Sequence, residues 1–330
     1  MILRIRSAAM PVAIILGAGM LLTVRGAQQA QEPEVLQLRP NFYMIAGAGG
    51  NIGVQVGVDG VVVVDSGSAS KADAVVAAIK KITNLPIRYL INTSAEPDHV
   101  GGNEVIAKAG QTLFTNPTGA GLADNFLGGG ASVLAVEEVL TRMSVPSGKG
   151  GSFPTGALPT ETFSQARKYM YLNGEGIEVL RQPAAHSDGD AIVFFRRSDV
   201  IVAGDVLDID HFPVIDVDKG GSVQGEIKAL QKLVDTAIPS VPIVSREEGT
   251  LIIPGHGRVC DQLDVVEYRD MVTIVRDRIQ DLIKQGLTLE KIKATSPTRG
   301  YTRRYGSDVG PWTTNQFVEA VYRSLVANVQ

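Results

Sequence analysis

The sequence predicts an α/β protein built as an αββα four-layer sandwich, two sheets face to face with helices on both outer surfaces. Two observations carry that expectation. Strand-like segments come in two successive sets, one from Val35 onward and one from Lys168 onward, and helical stripes accompany both. The composition is that of an ordinary globular chain: of 330 residues, 44% are hydrophobic and 20% charged, with 36 Gly and 16 Pro in no fixed repeat. This length suffices for a sizeable core and excludes a small stapled scaffold.

The first set opens with Phe42–Ile45, a Gly-rich turn Gly47–Gly50, the strand Gly53–Val58, a turn Asp59-Gly60 and the apolar run Val61–Val64. Asp65 closes that buried strand. From Ser70 to Ile82, apolar residues at Val75, Val76, Ile79 and Ile82 have helical spacing, and Ser70 with Asp73 is placed as a capping box. The strand Ile87–Asn92 follows, then a helix over Val105–Ala109 and a strand over Thr112–Thr115, after which the pattern blurs around Gly128–Gly130 and Gly148–Gly151. Loops or a flap are expected there.

In the second set, Lys168–Leu172, a turn at Asn173-Gly174, Ile177–Arg181, Ala191–Arg196 and Val200–Ala203 are strand-like by their β-branched and aromatic content. Val223, Ile227, Leu230, Val234 and Ile238 give a helical stripe. Leu251–Ile253 is a last strand, and Val265, Tyr268, Val272, Val275, Ile279 and Leu282 mark a long amphipathic helix ended by Gly286. A C-terminal helix over Gln316–Val326 is headed by Trp312, read as packing.

Charge and cysteine content narrow the function classes. Lys and Arg number 31 against 35 Asp and Glu, a net charge of −4, so no bulk positive field is available for nucleic acid. Arg299, Arg303 and Arg304 form a small basic spot read as solvated surface. The single cysteine, Cys260, makes no intrachain disulfide and has no base assigned to it, so it reads as a small buried apolar residue, not a nucleophile. The Gly-rich stretches lack the strand and helix context of a phosphate-cradling loop.

Residues 1–30 read as a secretory signal: Arg4 and Arg6, then the apolar stretch Ala8–Val24, then small and polar residues through Ala27 and Ala30. Export to the periplasm or beyond is therefore expected, with an uncleaved N-terminal anchor as the alternative because Arg25 disturbs the cleavage region and 17 residues approach the length of a span. No other segment reads as spanning a membrane.

The residues that carry chemistry lie at strand ends. The four histidines are His99, His186, His211 and His256, and three of them flank strand-like segments in Gly/Asp-rich turns, where a rigid scaffold can aim side chains at one ligand. Ser94-Ala95-Glu96-Pro97-Asp98-His99 follows the strand Ile87–Asn92. His186 stands in His-Ser-Asp-Gly-Asp, Asp205 in Gly-Asp after Val200–Ala203, and His256 in Pro-Gly-His-Gly after Leu251–Ile253. Such a mixture of imidazole and carboxylate suits a catalytic zinc, iron or manganese ion, and the lack of thiolates excludes a cysteine-type structural zinc site. His211, in Asp208-Ile209-Asp210-His211, reads as a hydrogen-bonded loop histidine near the pocket mouth.

In order and context these motifs resemble the metallo-β-lactamase superfamily over about residues 35–260. Its hallmark is a strand followed by His-x-His-x-Asp-His and glycines, then a downstream His, a Gly-Asp and a Gly-His. Here Ser94 and Glu96 replace the two leading histidines, while Asp98, His99, His186, Asp205 and His256 match, and Asp65 matches the buried aspartate behind the metal-binding turn. The resemblance implies a metallo-β-lactamase-like domain over residues 31–260, with 261–330 a C-terminal helical extension packed on it. It also implies a first metal at Ser94, Glu96 and His186 and a second at Asp98, His99 and His256, with Asp205 available to either. The second set is intact; the first, having gained a carboxylate, would favour iron or manganese over zinc.

By this resemblance the chain is expected to be an exported hydrolase holding one or two Zn2+ ions and cleaving an ester, lactone, amide or β-lactam of a small molecule, with Asp98 orienting the attacking water. Oligomeric state is not legible. A rival reading is a non-hydrolytic member that binds a metal, a ligand or a partner, supported by the replacements at Ser94 and Glu96. A minor alternative is dioxygen or nitric oxide reduction, because Glu96-Pro97-Asp98-His99 resembles the His-x-Glu-x-Asp motif of the superfamily's di-iron flavoproteins. Those proteins carry a flavin-binding domain that the 74 residues after His256 are too few to supply.

Overall fold

A computed structural model describes residues 32–113, 129–145, 153–240 and 249–327 of the chain. The leader reading at 1–30, residues 114–115 of the expected strand Thr112–Thr115 and the glycines at 148–151 lie outside these ranges.

The described residues form two sheets. The first runs in the order β1 (Glu34–Arg39), β2 (Phe42–Ala46), β3 (Ile52–Gly57), β4 (Gly60–Val64), β5 (Ile87–Ile91), β6 (Ser132–Val136) and β7 (Glu161–Phe163). Strands β1 to β4 are antiparallel neighbours, and β4 to β7 are parallel. The second sheet is ordered β12 (Leu251–His256), β11 (Val200–Asp208), β10 (Asp190–Phe195), β9 (Glu175–Gln182) and β8 (Arg167–Leu172); only the β11–β12 pair is parallel.

The alternation of side chains along β4 makes the layers. Val62 and Val64 point between the sheets, where they join Phe42, Val193, Phe195, Val200 and Val202, while Val61 and Val63 pack outward with Val75 and Ile79 of α1 (Ala72–Ile82) and Ile106 of α3 (Asn103–Ala109). On the far face of the second sheet, Ile192, Ile201 and Ile252 meet three helices: α5 (Val223–Thr236), α6 (Gln262–Lys284) and α9 (Thr314–Ala327). The αββα sandwich predicted from the sequence is thus the observed architecture.

Several local expectations are corrected. Ser70 and Asp73 form no capping box: a turn of 3₁₀ helix at Ala69–Lys71 precedes α1, whose N-cap is Lys71 with no side-chain bond. A true capping box closes instead at Asp261 and Asp264, at the start of α6. Thr112 and Leu113 are not in a strand; the next strand in the sheet is β6, inside the stretch where glycines blur the pattern, and it leads directly into α4 (Glu137–Ser144). Strand β11 runs on past Ala203 to Asp208, so Gly204 and Asp205 lie within a strand and not in a turn after it. Short helices α7 (Leu289–Ala294) and α8 (Thr302–Tyr305) lie between α6 and α9.

The parallel pairs matter for the site. The C-terminal ends of β4, β5, β11 and β12 lie at one edge of the sandwich, where the sheets are tied by Asn51 N to Gly255 O at 2.8 Å and Ala191 N to Thr93 O at 2.8 Å. Strand ends with exposed loops on a rigid double sheet are a place where side chains from distant parts of a chain can be held convergent.

Candidate functional site

The site begins with Asp65, whose backbone, at φ 64°, turns the chain sharply out of β4 and aims a fully buried carboxylate across to β5. Oδ1 accepts the Thr93 amide at 2.8 Å, and Oδ2 accepts the Thr93 hydroxyl at 2.6 Å and stands 2.8 Å from His99 Nδ1. Both edges of the carboxylate are therefore used, and His99 is fixed with Nε2 directed into the site. Aspartate is among the few residues that adopt this left-handed backbone at small cost.

The loop after β5 carries the first motif. Pro97 starts the single turn α2 (Pro97–Val100), with Glu96 in the extended conformation before it. Its carbonyls are clasped by neighbours: Gly50 N donates to Asp98 O at 3.0 Å, and Ser66 N to His99 O at 2.7 Å. Gly50 is obligatory, because a Cβ there would stand 2.6 Å from the His99 ring. The glycine turn of residues 47–50 thus serves to let backbone approach an imidazole.

Asp205 enters from the second sheet at an irregularity in β11, where pairing with β12 shifts register around Gly204, itself at φ 56°. Such a bulge re-aims a side chain out of a strand's normal alternation. Asp205 Oδ2 accepts the Ser94 hydroxyl at 2.7 Å, and Oδ1 lies 3.0 Å from His99 Nε2 and 3.9 Å from His256 Nε2. His256 ends β12, its Nε2 is 3.2 Å from Asp98 Oδ2, and its ring lies edge-on to His99 at 5.6 Å between centroids. Proline at 254 is tolerated because β12 is an edge strand.

Of the sequence-predicted residues, Asp98, His99 and His256 are brought together: one ligand atom from each lies within 4.8 Å of the others. Asp205 faces this group. Glu96 and His186 stand to one side, His186 Nε2 being 3.7 Å from Glu96 Oε1 and its Nδ1 4.0 Å from Asp205 Oδ2. Ser94 is buried and bonded to Asp205, and Glu96 Oε1 accepts Lys219 Nζ at 2.7 Å. His211 is largely exposed, near Asp208, and lines the cavity rim. Cys260 is buried, its Sγ within 3.5 Å of Ile252 O, and burial pushes its thiol up, so it is no nucleophile.

The electrostatics are those of a desolvated carboxylate–imidazole cluster. Burial pulls the His99 imidazole down, but Asp205 and Asp65 outweigh it and hold it well above its usual range. Burial would raise Asp205, yet the charge of the adjacent His99, with His186 and the Ser94 hydroxyl, keeps it well below the usual carboxylate range. The His256 contact lowers Asp98 and correspondingly raises His256.

These residues fit a metal ion. His99 Nε2 and both ring nitrogens of His186 are buried without an aligned hydrogen-bond partner among the described residues, a costly state for imidazoles and one that a cation relieves. Asp98, His99, His256 and Asp205 offer two imidazoles and two carboxylates, a donor set suited to a catalytic divalent ion.

Three features escaped sequence reasoning. Lys219, in a turn before Gly220, gives no signal in the sequence that it reaches Glu96. Glu226, on α5, is fully buried, with neither carboxylate oxygen partnered among the described residues; burial, then Asp190 and Asp205, hold it well above its usual range. Trp312 does pack against the helical core, but it also lines the site's cavity of about 540 Å³, together with Val214, Val309, Pro311, Glu96, Asp98 and His256.

Residues 46–113 match the family model of the metallo-beta-lactamase superfamily, and the sandwich built around them is that superfamily's fold. The chain is 22% identical over 276 residues, 74% of its length, to the linear primary-alkylsulfatase of Pseudomonas sp. (strain ATCC 19151). Among solved structures it is similar to the stereoselective inverting sec-alkylsulfatase Pisa1 from Pseudomonas sp., with TM-score 0.63, 16% identity and 90% of the chain covered. It is also similar to the metallo-beta-lactamase from Pontibacter korlensis, with TM-score 0.53, 15% identity, 73% of this chain and 99% of that one covered. The chain spans about half the length of the alkylsulfatases it matches, 50% of the first and 52% of the second.

Proposed function

We propose that the chain is a metal-dependent hydrolase of small amphiphilic esters, with an alkyl sulfate as the substrate class. The observation that carries this reading is the cavity itself: its lining combines the ionisable Glu96, Asp98, His186, Asp205 and His256 with the apolar Val214, Val309, Pro311 and Trp312. An ester with a charged head and an apolar tail matches both surfaces. The alkylsulfatase relatives favour sulfate over the lactone, amide and β-lactam alternatives.

Asp98, His99 and His256, with Asp205, hold the ion in this reading, and zinc is the ion their donor set suits. A divalent ion there supplies a water acidified toward neutrality and polarises the ester oxygen. Asp98 lies at the cavity floor beside His256, ionised and half-exposed, where it orients the attacking water and receives its proton. Asp65 acts through His99, fixing its tautomer and direction. Trp312 covers the apolar part of the cavity and limits water there. The order of charged, apolar and small residues in 1–30 supports export to the periplasm or beyond.

The test is sulfate release from a series of alkyl sulfates by the zinc-loaded full chain, run beside a lactone and a β-lactam. The reading expects sulfate release that EDTA abolishes; metal-loaded protein that releases none overturns it. A second reading, a binding member without turnover, is favoured by one observation, the pairing of Lys219 with Glu96. Iron in place of zinc in the purified chain would instead support the redox alternative.

A further inference from the structure

Two places for positive charge lie among the residues of the site. One is bounded by Asp98, His99 and His256. The other lies at Glu96, whose Oε1 is 3.7 Å from His186 Nε2; Lys219 reaches that carboxylate from an adjoining cavity lined by Ala95, Pro97 and Asp188, its ammonium 2.7 Å from Glu96 Oε1 and 3.1 Å from Asp216 Oδ2. We infer that Lys219 is the resident cation of this second place, so that the chain holds one metal ion and completes its charge balance with an ammonium. The inference rests on the metal-dependent reading proposed above and adds the number of ions.

Lys219 is not a loose surface lysine. Its backbone N–H donates to Asp216 O at 3.0 Å and to Asp216 Oδ1 at 3.1 Å, and its carbonyl accepts Asp188 N at 3.0 Å and Arg142 Nη2 at 2.6 Å. Gly220, at φ 83°, ends the one-turn 3₁₀ helix Val217–Lys219, and Gly221 lies so close to His186 that a Cβ would stand 2.1 Å from its carbonyl oxygen. The turn bearing the lysine is therefore built against the loop bearing His186. The stem is held in place from both ends.

The donors on this side are committed accordingly. Glu96 gives Oε1 to the ammonium, Ser94 gives its proton to Asp205, and Ser94 as a neutral hydroxyl is a poor ligand in any case. A dication next to Nζ would meet an ammonium that has three donors and no lone pair to offer, in half-buried surroundings.

The experiment is zinc stoichiometry by elemental analysis after equilibrium dialysis of the full chain, for wild type, Lys219→Met, Lys219→Arg and Asp98→Ala, with circular dichroism to verify folding. Methionine keeps the aliphatic stem and removes the charge. The inference expects one equivalent in the wild type and in Lys219→Arg, and a second equivalent in Lys219→Met, bound at least tenfold more tightly than any second ion in the wild type. Two equivalents in the wild type, or one in a folded Lys219→Met, overturn the assignment of Lys219 while leaving metal-dependent hydrolysis standing. No zinc in the wild type, with Asp98→Ala the same, overturns the metal-dependent reading itself.

Discussion

At the scale of single residues, the site depends on side chains that cannot be exchanged for near neighbours. Asp98 pairs with His256 and faces the cavity, so on the proposed reading Asp98→Ala removes a ligand and the water's proton acceptor together. Turnover should fall by at least about 10²–10⁴-fold, the usual worth of a positioned acid–base group, with metal content lowered. Steady-state kinetics with metal analysis checks this, and full metal loading with unchanged turnover would refute the role. Asp65→Asn is a finer probe: asparagine tolerates the φ of 64° and retains an oxygen for Thr93, but it weakens the grip on His99 Nδ1. Zinc affinity, read by competition with a chelating dye, should drop by about 10–100-fold while thermal stability changes little. Much of this residue set is legible in the sequence because each member follows or precedes a strand in a Gly/Asp-rich turn. Lys219 and Glu226 were not, since a lysine in a turn and a glutamate on an amphipathic helix carry no mark of where the fold will point them.

At the scale of elements, the site is shaped by local departures from regular geometry. The glycine turn of residues 47–50 passes over His99 so closely that Gly50→Ala, with a Cβ 2.6 Å from the ring, should displace the imidazole. Zinc affinity should fall by an order of magnitude or more; an alanine variant that binds zinc as wild type does would show that the loop is free to move away. The turn before β10 offers a pH test. Burial raises Asp190 from 3.8 to about 6 despite the charge of His186 and the bonds from Ser187. Because the folded state holds this proton more tightly than the unfolded chain, the associated stability is complete below about 4 and is lost as pH rises through about 6, amounting to about 3 kcal/mol. Asp190→Asn, compared with wild type by chemical denaturation between pH 4 and 7, should gain relative stability across that window, and parallel curves would contradict the raised pKa. Element boundaries were the least readable feature. Gly204 looked like the end of a strand because glycine breaks local pattern, whereas β11 absorbs it as a bulge, and the capping signal at Ser70 lost to a 3₁₀ turn set by tertiary packing.

At the scale of the whole molecule, two sheets and their flanking helices bring residues 140 or more positions apart to one edge: His256 ends a strand of the second sheet, and Asp98 and His99 follow a strand of the first. This architecture was readable because the valine run of β4 and the two strand sets reflect periodicity imposed by burial on both faces of a sheet. The stretch containing β6 and α4 was not, since its glycines hide a short strand whose partners are distant in sequence. The cavity wall contributed by Trp312 likewise arises only when the C-terminal helices pack over the second sheet, which no local pattern records. That this shared edge is a metal-dependent hydrolytic centre is tested by titrating zinc back into the EDTA-treated chain while measuring sulfate release from an alkyl sulfate. No release from the stripped protein is expected, with activity that rises as zinc is added and reaches a plateau when the site is filled. Release that persists after zinc is removed, or none at any zinc loading, would contradict it.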